Sequence, residues 1–394
     1  MFKINNRITW VGKSDQEYIE HCGSEHLAYS GTSHNSYLIQ DEKVALIDTV
    51  WMPYSKAYIS CLEFEIDLDK IDYIIINNAE ANHNGALPEL MKHMPNTLIY
   101  CTKMGIQFLK EHYQQDWNFI EVKTGDTLEL GSGKIIFIES FMLNWPGSML
   151  SYYTADAILF SSGVFSQHYT SKFMYNDLVD QEVLYREALK YYANILTPFN
   201  ALTIEKMHEY LGLNIPLNMI CTSHGIIWRD NPMQIVEQYL KWAGHYQEHQ
   251  GVILYDTMWN DTKVMAECIA TGIKSVDPTL EVKLFNVSKT DEKDVIAEVF
   301  KSKLVVVGSP TINRGILSPM ASILESIKSH EFKNKKAAGF GSYGWSGESL
   351  KIITEELRQC GFEILEESLS VLWNPDKNAI KRCEDFGKVL AEKL

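Results

Sequence analysis

The sequence predicts an α/β protein in two parts, an α/β sandwich over residues 1–249 and a doubly wound parallel sheet over residues 250–394. Two observations carry this. After Gly251, short apolar runs alternate strictly with amphipathic stretches, which is the pattern of a parallel sheet covered by helices. Before it, short strands come in pairs joined by tight turns, with helices between and after the pairs. The polar stretch 245–251, His-Tyr-Gln-Glu-His-Gln-Gly, separates the two textures and reads as the linker.

In the second part the strands are read at Val252–Tyr255, Val282–Phe285, Leu304–Val307, Ala337–Phe340 and Phe362–Leu365. The helices between them are read after Thr262, from about Asp291, after Pro319, after Gly347 and from about Asp376. In the first part Ser36–Ile39 pairs with Val44–Ile47, and Thr127–Leu130 pairs with Lys134–Ile138 across Gly131-Ser132-Gly133. Helical stretches lie around 54–62, 88–93, 182–196 and 234–245.

The 394 residues are 45% hydrophobic, enough for more than one core. A formal charge of −15 argues against nucleic acid or an anionic membrane as partner. The N-terminus lacks a basic segment followed by an apolar signal core, and no apolar run is long enough to span a bilayer, so a cytoplasmic protein is expected. Seven cysteines are scattered singly without a C-x-x-C pair, which indicates neither a disulfide framework nor a thiolate metal site.

Ligands of an open parallel sheet bind at the strands' carboxyl ends, so three loops stand out. The first, Thr257-Met258-Trp259-Asn260-Asp261-Thr262, offers hydroxyls and backbone N–H groups at a helix start, which can hold a phosphate without a lysine. The second is Ser309-Pro310-Thr311-Ile312-Asn313, small and polar. The third, Ser342-Tyr343-Gly344-Trp345-Ser346-Gly347, sets aromatics that can cover a flat ring among glycines that let backbone approach it. Each alone could be an ordinary helix cap; together, in order, they point to flavin mononucleotide (FMN). This part resembles flavodoxin.

The whole chain resembles the flavodiiron proteins, in which a metallo-β-lactamase-like αββα domain precedes a flavodoxin-like one. The wording that carries this includes Gly31-Thr32-Ser33-His34-Asn35-Ser36-Tyr37, Leu46-Ile47-Asp48-Thr49, Trp145-Pro146 and Thr222-Ser223-His224-Gly225. No rubredoxin-like extension follows Leu394. In that family an H-x-E-x-D-H loop, a later His, a bridging Asp and a final His hold two irons. The resemblance aligns Glu80, His83 and His224 with kept ligands, and Asn78, Asn82, Asn144 and Gly163 with lost ones. Cys22, beside His21, falls where the family often has an outer histidine. His168 follows Gly163 closely and reads as a structural, hydrogen-bonded histidine.

Glu80 is then the only carboxylate facing two divalent cations, and no diiron centre is expected. The loop Ile76–Gly85 has a plainer reading, since Asn and Gly suit any strand-to-helix turn and Glu80 could simply bond His83. The resemblance implies a head-to-tail homodimer, with a small redox protein or a nicotinamide-linked reductase as electron donor. The leading expectation is an FMN-dependent oxidoreductase or electron-transfer protein that reduces dioxygen at the flavin. One alternative keeps a metal on Glu80, His83 and His224 and reduces dioxygen or nitric oxide there; another is a non-catalytic binding or regulatory subunit.

Overall fold

A computed structural model of the chain describes residues 1–15 and 31–394. The residues divide into two compact units, one made of 1–191 with 201–240 and the other of 192–200 with 241–394. His21 and Cys22 lie outside the described residues.

The described residues of the first unit form two large sheets and a two-stranded one, Lys13–Asp15 with Thr32–His34. One has seven strands: Phe2–Lys3, Ile8–Trp10, Tyr37–Gln40, Val44–Ile47, Tyr73–Ile75, Leu98–Cys101 and Phe119–Glu121, adjacent in that order. The other has five: Thr127–Glu129, Lys134–Glu139, Met149–Tyr153, Ile158–Phe160 and Met219–Cys221. Both hairpins read from the sequence form, with Tyr37 opposite Ile47 and Leu128 opposite Ile135. Side chains alternate across the first sheet as strand geometry requires. Tyr37, Ile39, Ala45, Ile47 and Ile75 point into a core shared with Phe137, Met149, Tyr153 and Phe160 of the second sheet. Leu38, Leu46, Ile74 and Ile99 face the opposite way and pack with Tyr58, Leu62, Leu87 and Leu90 of the helices Ser55–Glu65 and Leu87–His93. Each fully buried aliphatic side chain contributes roughly 1.5–3 kcal/mol, so the alternation sets the register of the sheet.

The second unit is a parallel sheet in the order Glu281–Asn286, Gln250–Tyr255, Leu304–Gly308, Lys336–Tyr343, then the last strand. Its helices are Asp261–Val276, Glu292–Lys301, Ser318–Ser329, Glu348–Gln359 and Lys377–Glu392. Asp291 and Asp376 cap two of them by accepting from backbone N–H groups, which is why those starts were readable. The α/β sandwich and the doubly wound sheet thus both stand as expected.

Three details differ from the expectation. The last strand is split into Glu363–Ile364 and Leu369–Leu372, both parallel to Lys336–Tyr343. The helices Lys103–Tyr113 and Asn200–Gly212 were not anticipated. The stretch 245–251 is not all linker, because the strand Gln250–Tyr255 starts inside it. Among the described residues no helix is long and apolar enough to cross a membrane.

Candidate functional sites

In the first unit the strand Tyr73–Ile75 empties into the loop Ile76–Gly85, which turns through the short helix Ala81–Asn84. The loop is pinned at its base, where the Asn77 N–H donates to Asp48 at 2.8 Å and Ser151 donates to the Asn77 side chain at 2.6 Å. The Asn84 amide donates to the carbonyls of Asn78 and Glu80 at 3.1 and 2.7 Å. These bonds leave Asn78, Glu80 and His83 on a fixed scaffold.

Asn78 does not face an open coordination position. Its amide nitrogen donates to the Asn144 side-chain oxygen at 2.8 Å, while its own oxygen accepts from the Glu80 N–H at 2.9 Å. The Asn144 nitrogen in turn donates to the Tyr191 hydroxyl at 3.3 Å. A Cβ placed on Gly163 would stand 2.5 Å from both Cγ and Oδ1 of Asn144, so the end of the Asn144 side chain would have to move for any other residue there. The Asn144 side chain therefore occupies the space a side chain at position 163 would need, and its own backbone is left-handed (φ 79°).

Four imidazoles gather beside this amide pair. The ring of His224 lies 4.7 Å from His83, 5.5 Å from His34 and 5.4 Å from His168, centroid to centroid. His224 Nδ1 is 2.6 Å from the Ser33 carbonyl and His34 Nδ1 is 3.1 Å from the Asn82 carbonyl, so both rings are oriented by backbone. His168 Nδ1 is 2.9 Å from the Thr32 hydroxyl, in keeping with the structural role read for it. His83 Nε2 is buried with no hydrogen-bond partner among the described residues, 3.8 Å from the Glu80 carboxylate. The hydrogen bond between Glu80 and His83 that the plainer reading supposed is therefore not made.

Burial and the neighbouring imidazoles push His83 well below the ordinary histidine range. The same causes bring His34 down to about 3, with the Asn82 carbonyl opposing them. Burial raises Glu80 to about 7, partly offset by the Asn82 amide. The pocket disfavours charge of either sign. Although the rings cluster, no group of three or more His, Cys, Asp or Glu among the described residues is disposed to hold a metal ion.

In the second unit the three loops read from the sequence meet at the carboxyl end of the sheet. Asn260 takes a left-handed turn (φ 74°) that starts the helix Asp261–Val276 and leaves its first N–H groups free. The Thr257 hydroxyl is buried with no partner among the described residues. Thr262 Oγ1 stands 3.2 Å from Ser342 Oγ, and the Thr311 N–H donates to the Ser342 carbonyl at 2.9 Å, which ties all three loops together. Ile312 and Gly315 bridge across Asn313 and Arg314, both left-handed, in a tight turn. Met258, Trp259 and Trp345 are exposed at the rim, the two tryptophans at 80% and 84%. Pro310, Tyr343, Gly344 and Gly347 complete the loops.

The sequence missed a fourth contributor. The loop after Leu369–Leu372 brings Trp373 against Gly344, where a Cβ would stand 2.6 Å from the indole. It also places Asn374, with its amide nitrogen turned toward the carboxylate, 2.5 Å from Asp261. His34 is likewise not marked by the sequence as a member of the histidine cluster. Its role depends on cross-strand placement, which no local pattern announces.

Residues 253–387 match the flavodoxin family, and residues 32–225 match the ODP family of β-lactamases. Over 391 residues the chain is 49% identical to the anaerobic nitric oxide reductase flavorubredoxin of Vibrio vulnificus (strain YJ016), covering 99% of this chain and 79% of that one. The chain belongs to the flavodiiron protein family. The flavodiiron fold is equally plain in the structures. The rubredoxin oxygen:oxidoreductase from Desulfovibrio gigas superposes with a TM-score of 0.95 at 32% identity, covering 99% of this chain and 97% of that one. The flavodiiron protein from Giardia intestinalis superposes with a TM-score of 0.93 at 28% identity, covering 100% and 96%. The chain is thus a flavodiiron-type flavoprotein oxidoreductase, with a metallo-β-lactamase-like domain and a flavodoxin-like domain.

Proposed function

We propose that this flavodiiron protein works through FMN alone, with residues 250–394 as its flavin-binding domain and residues 1–249 as a domain whose iron site is lost. When bound, FMN supplies one- and two-electron chemistry. The Thr257 hydroxyl and the free N–H groups at the start of the helix Asp261–Val276 would hold its phosphate. The loops through Ser309–Asn313 and Ser342–Gly347 would flank the ring, with Trp259 and Trp345 at its edge. The Thr257 hydroxyl is buried without a partner among the described residues, and a phosphate oxygen accepting from it would satisfy it, which supports this fit.

The residues present do not fit a pair of irons. The observation that carries this is Asn144: its side chain takes the room of the missing bridging carboxylate at Gly163 and bonds to Asn78, so two lost positions satisfy each other. Glu80 alone could not offset two buried dications. Electrons would come from a small redox protein or a nicotinamide-linked reductase and leave to dioxygen. The Desulfovibrio gigas relative is a rubredoxin oxygen:oxidoreductase, which supports that pairing. A head-to-tail homodimer, implied by the family resemblance, would cover the exposed Trp259, Trp345 and Trp373.

The test is dioxygen consumption by FMN-loaded protein under a chemical reductant. Glu80→Ala and His224→Ala are expected to retain the wild-type rate and flavin content. Loss of turnover with flavin retained would instead favour a metal held beside His83 and His224, whose rings are 4.7 Å apart. Failure of every donor to reduce the flavin would favour a binding or regulatory subunit.

A further inference from the structure

The segment that follows the last strand reaches back to the start of the helix Asp261–Val276. Leu372 pairs with Tyr343, and the Trp373 N–H then donates to the Tyr343 carbonyl at 2.9 Å. Three residues on, the Asp376 side chain accepts from the Ala379 N–H at 2.7 Å and caps the helix Lys377–Glu392. Between these two fixed points the backbone of Trp373 is left-handed (φ 54°), and Pro375 restricts the residue before it. Asn374 is therefore presented from a segment with little freedom, although its side chain meets solvent.

The amide of Asn374 faces the Asp261 carboxylate. An ionised carboxylate only accepts, so the nitrogen is the atom turned to it, and it donates to the two oxygens at 2.5 and 3.2 Å. Asp261 is the first residue of its helix, whose opening N–H groups receive no side-chain cap from Asn260. A carboxylate there is attracted by the helix start, just as a phosphate is. The two would compete for the same N–H groups, and as like charges they would repel. Partial burial also disfavours the charge on Asp261 and raises its pKa. Asn374 meets both needs, because it supplies two charge-assisted hydrogen bonds and holds the carboxylate on its own side.

We propose that Asn374 is a positioning residue for the flavin phosphate: by holding the Asp261 carboxylate it keeps the start of the helix Asp261–Val276 open to a phosphate dianion. The inference rests on the reading of residues 250–394 as the FMN domain. Asn374 acts through Asp261 and not by touching the flavin. It therefore matters only to a ligand that carries the phosphate.

The test is fluorescence titration of the full-length chain, freed of flavin, with FMN and with riboflavin, which has the same ring and ribityl chain without the phosphate. Asn374 is exposed, so its replacement leaves the fold intact. Asn374→Ala is expected to weaken FMN by roughly five- to ten-fold, the order of one charge released at a helix start, and to leave riboflavin unchanged. Asp261→Asn removes the charge itself. The double variant Asp261→Asn with Asn374→Ala should then bind FMN as tightly as Asp261→Asn does.

Unchanged FMN affinity in Asn374→Ala would overturn the inference. Equal losses for FMN and riboflavin would overturn it too, because they would make Asn374 a general support of the loops. A double variant that binds FMN no more tightly than Asn374→Ala would do the same, and it decides the point even where riboflavin binds too weakly to titrate. A wild-type chain that binds neither flavin would instead overturn the FMN reading on which the inference rests.

Discussion

At the scale of single residues, the centre of the first unit is a packing arrangement. Asn144 and Gly163 are matched, because the amide of one stands where the side chain of the other would begin. Restoring a carboxylate with Gly163→Asp should therefore destabilise the protein by about 1–3 kcal/mol through overpacking, as read by urea unfolding. The same change in an Asn144→Ala background should cost markedly less, and equal losses in both backgrounds would count against the packing account. The sequence made part of this legible: Asn78, Asn82, Asn144 and Gly163 each stand out against the family's wording. It could not reveal that Asn78 and Asn144 bond to each other, since only the folded chain brings positions so far apart to 2.8 Å. Trp373 was invisible for a related reason, because its place against Gly344 depends on where the last strand resumes.

At the scale of elements, the helices most easily read were those with an acidic cap, at Asp291 and Asp376. The helix Asn200–Gly212 was harder, because it follows directly on the short turn Thr197–Phe199 and no polar residue separates the two. The split last strand was read as one because Phe362–Leu365 is a sound apolar run. The chain leaves the sheet at Glu366-Glu367, whose charges do not suit the interior, and rejoins it at Leu369.

One element carries a pH-dependent prediction. The buried Lys335 ammonium nitrogen donates to the carbonyls of Phe300 and Ser302 at 2.6 and 2.7 Å, closing the C-terminal end of the helix Glu292–Lys301. Burial lowers Lys335 to about 7, far below its ordinary 10.5. Between those values the unfolded chain binds the proton and the folded chain does not, so stability rises as pH increases from 7 toward 10. Urea unfolding at pH 7 and pH 9 should show this gain in the wild type, and Lys335→Met should show a smaller one. At pH 7 the variant also leaves two carbonyls unpaired, which costs about 1–3 kcal/mol. A pH slope that survives the substitution unchanged would assign it to other groups.

At the scale of the whole molecule, the two kinds of fold were legible in the change of texture along the chain, because a strict βα series differs so plainly from paired short strands. What the texture could not give was the passage of residues 192–200 into the second unit, which no composition shift marks. If FMN binds the second unit alone, its free energy should appear only in that unit's unfolding. Calorimetry with FMN at about a hundred times its dissociation constant should raise one transition by the equivalent of roughly 2.7 kcal/mol and leave the other in place. An equal rise in both would place the flavin's effect outside the second unit alone.

We propose that the flavin remains and the irons do not. Metal and flavin analysis of protein purified without oxygen from iron-supplemented cells tests it most directly. Near-stoichiometric FMN with iron far below stoichiometry is expected, because Asn78 and Asn144 satisfy each other and Gly163 offers no bridge. A pair of irons per chain, retained through gel filtration, would contradict it.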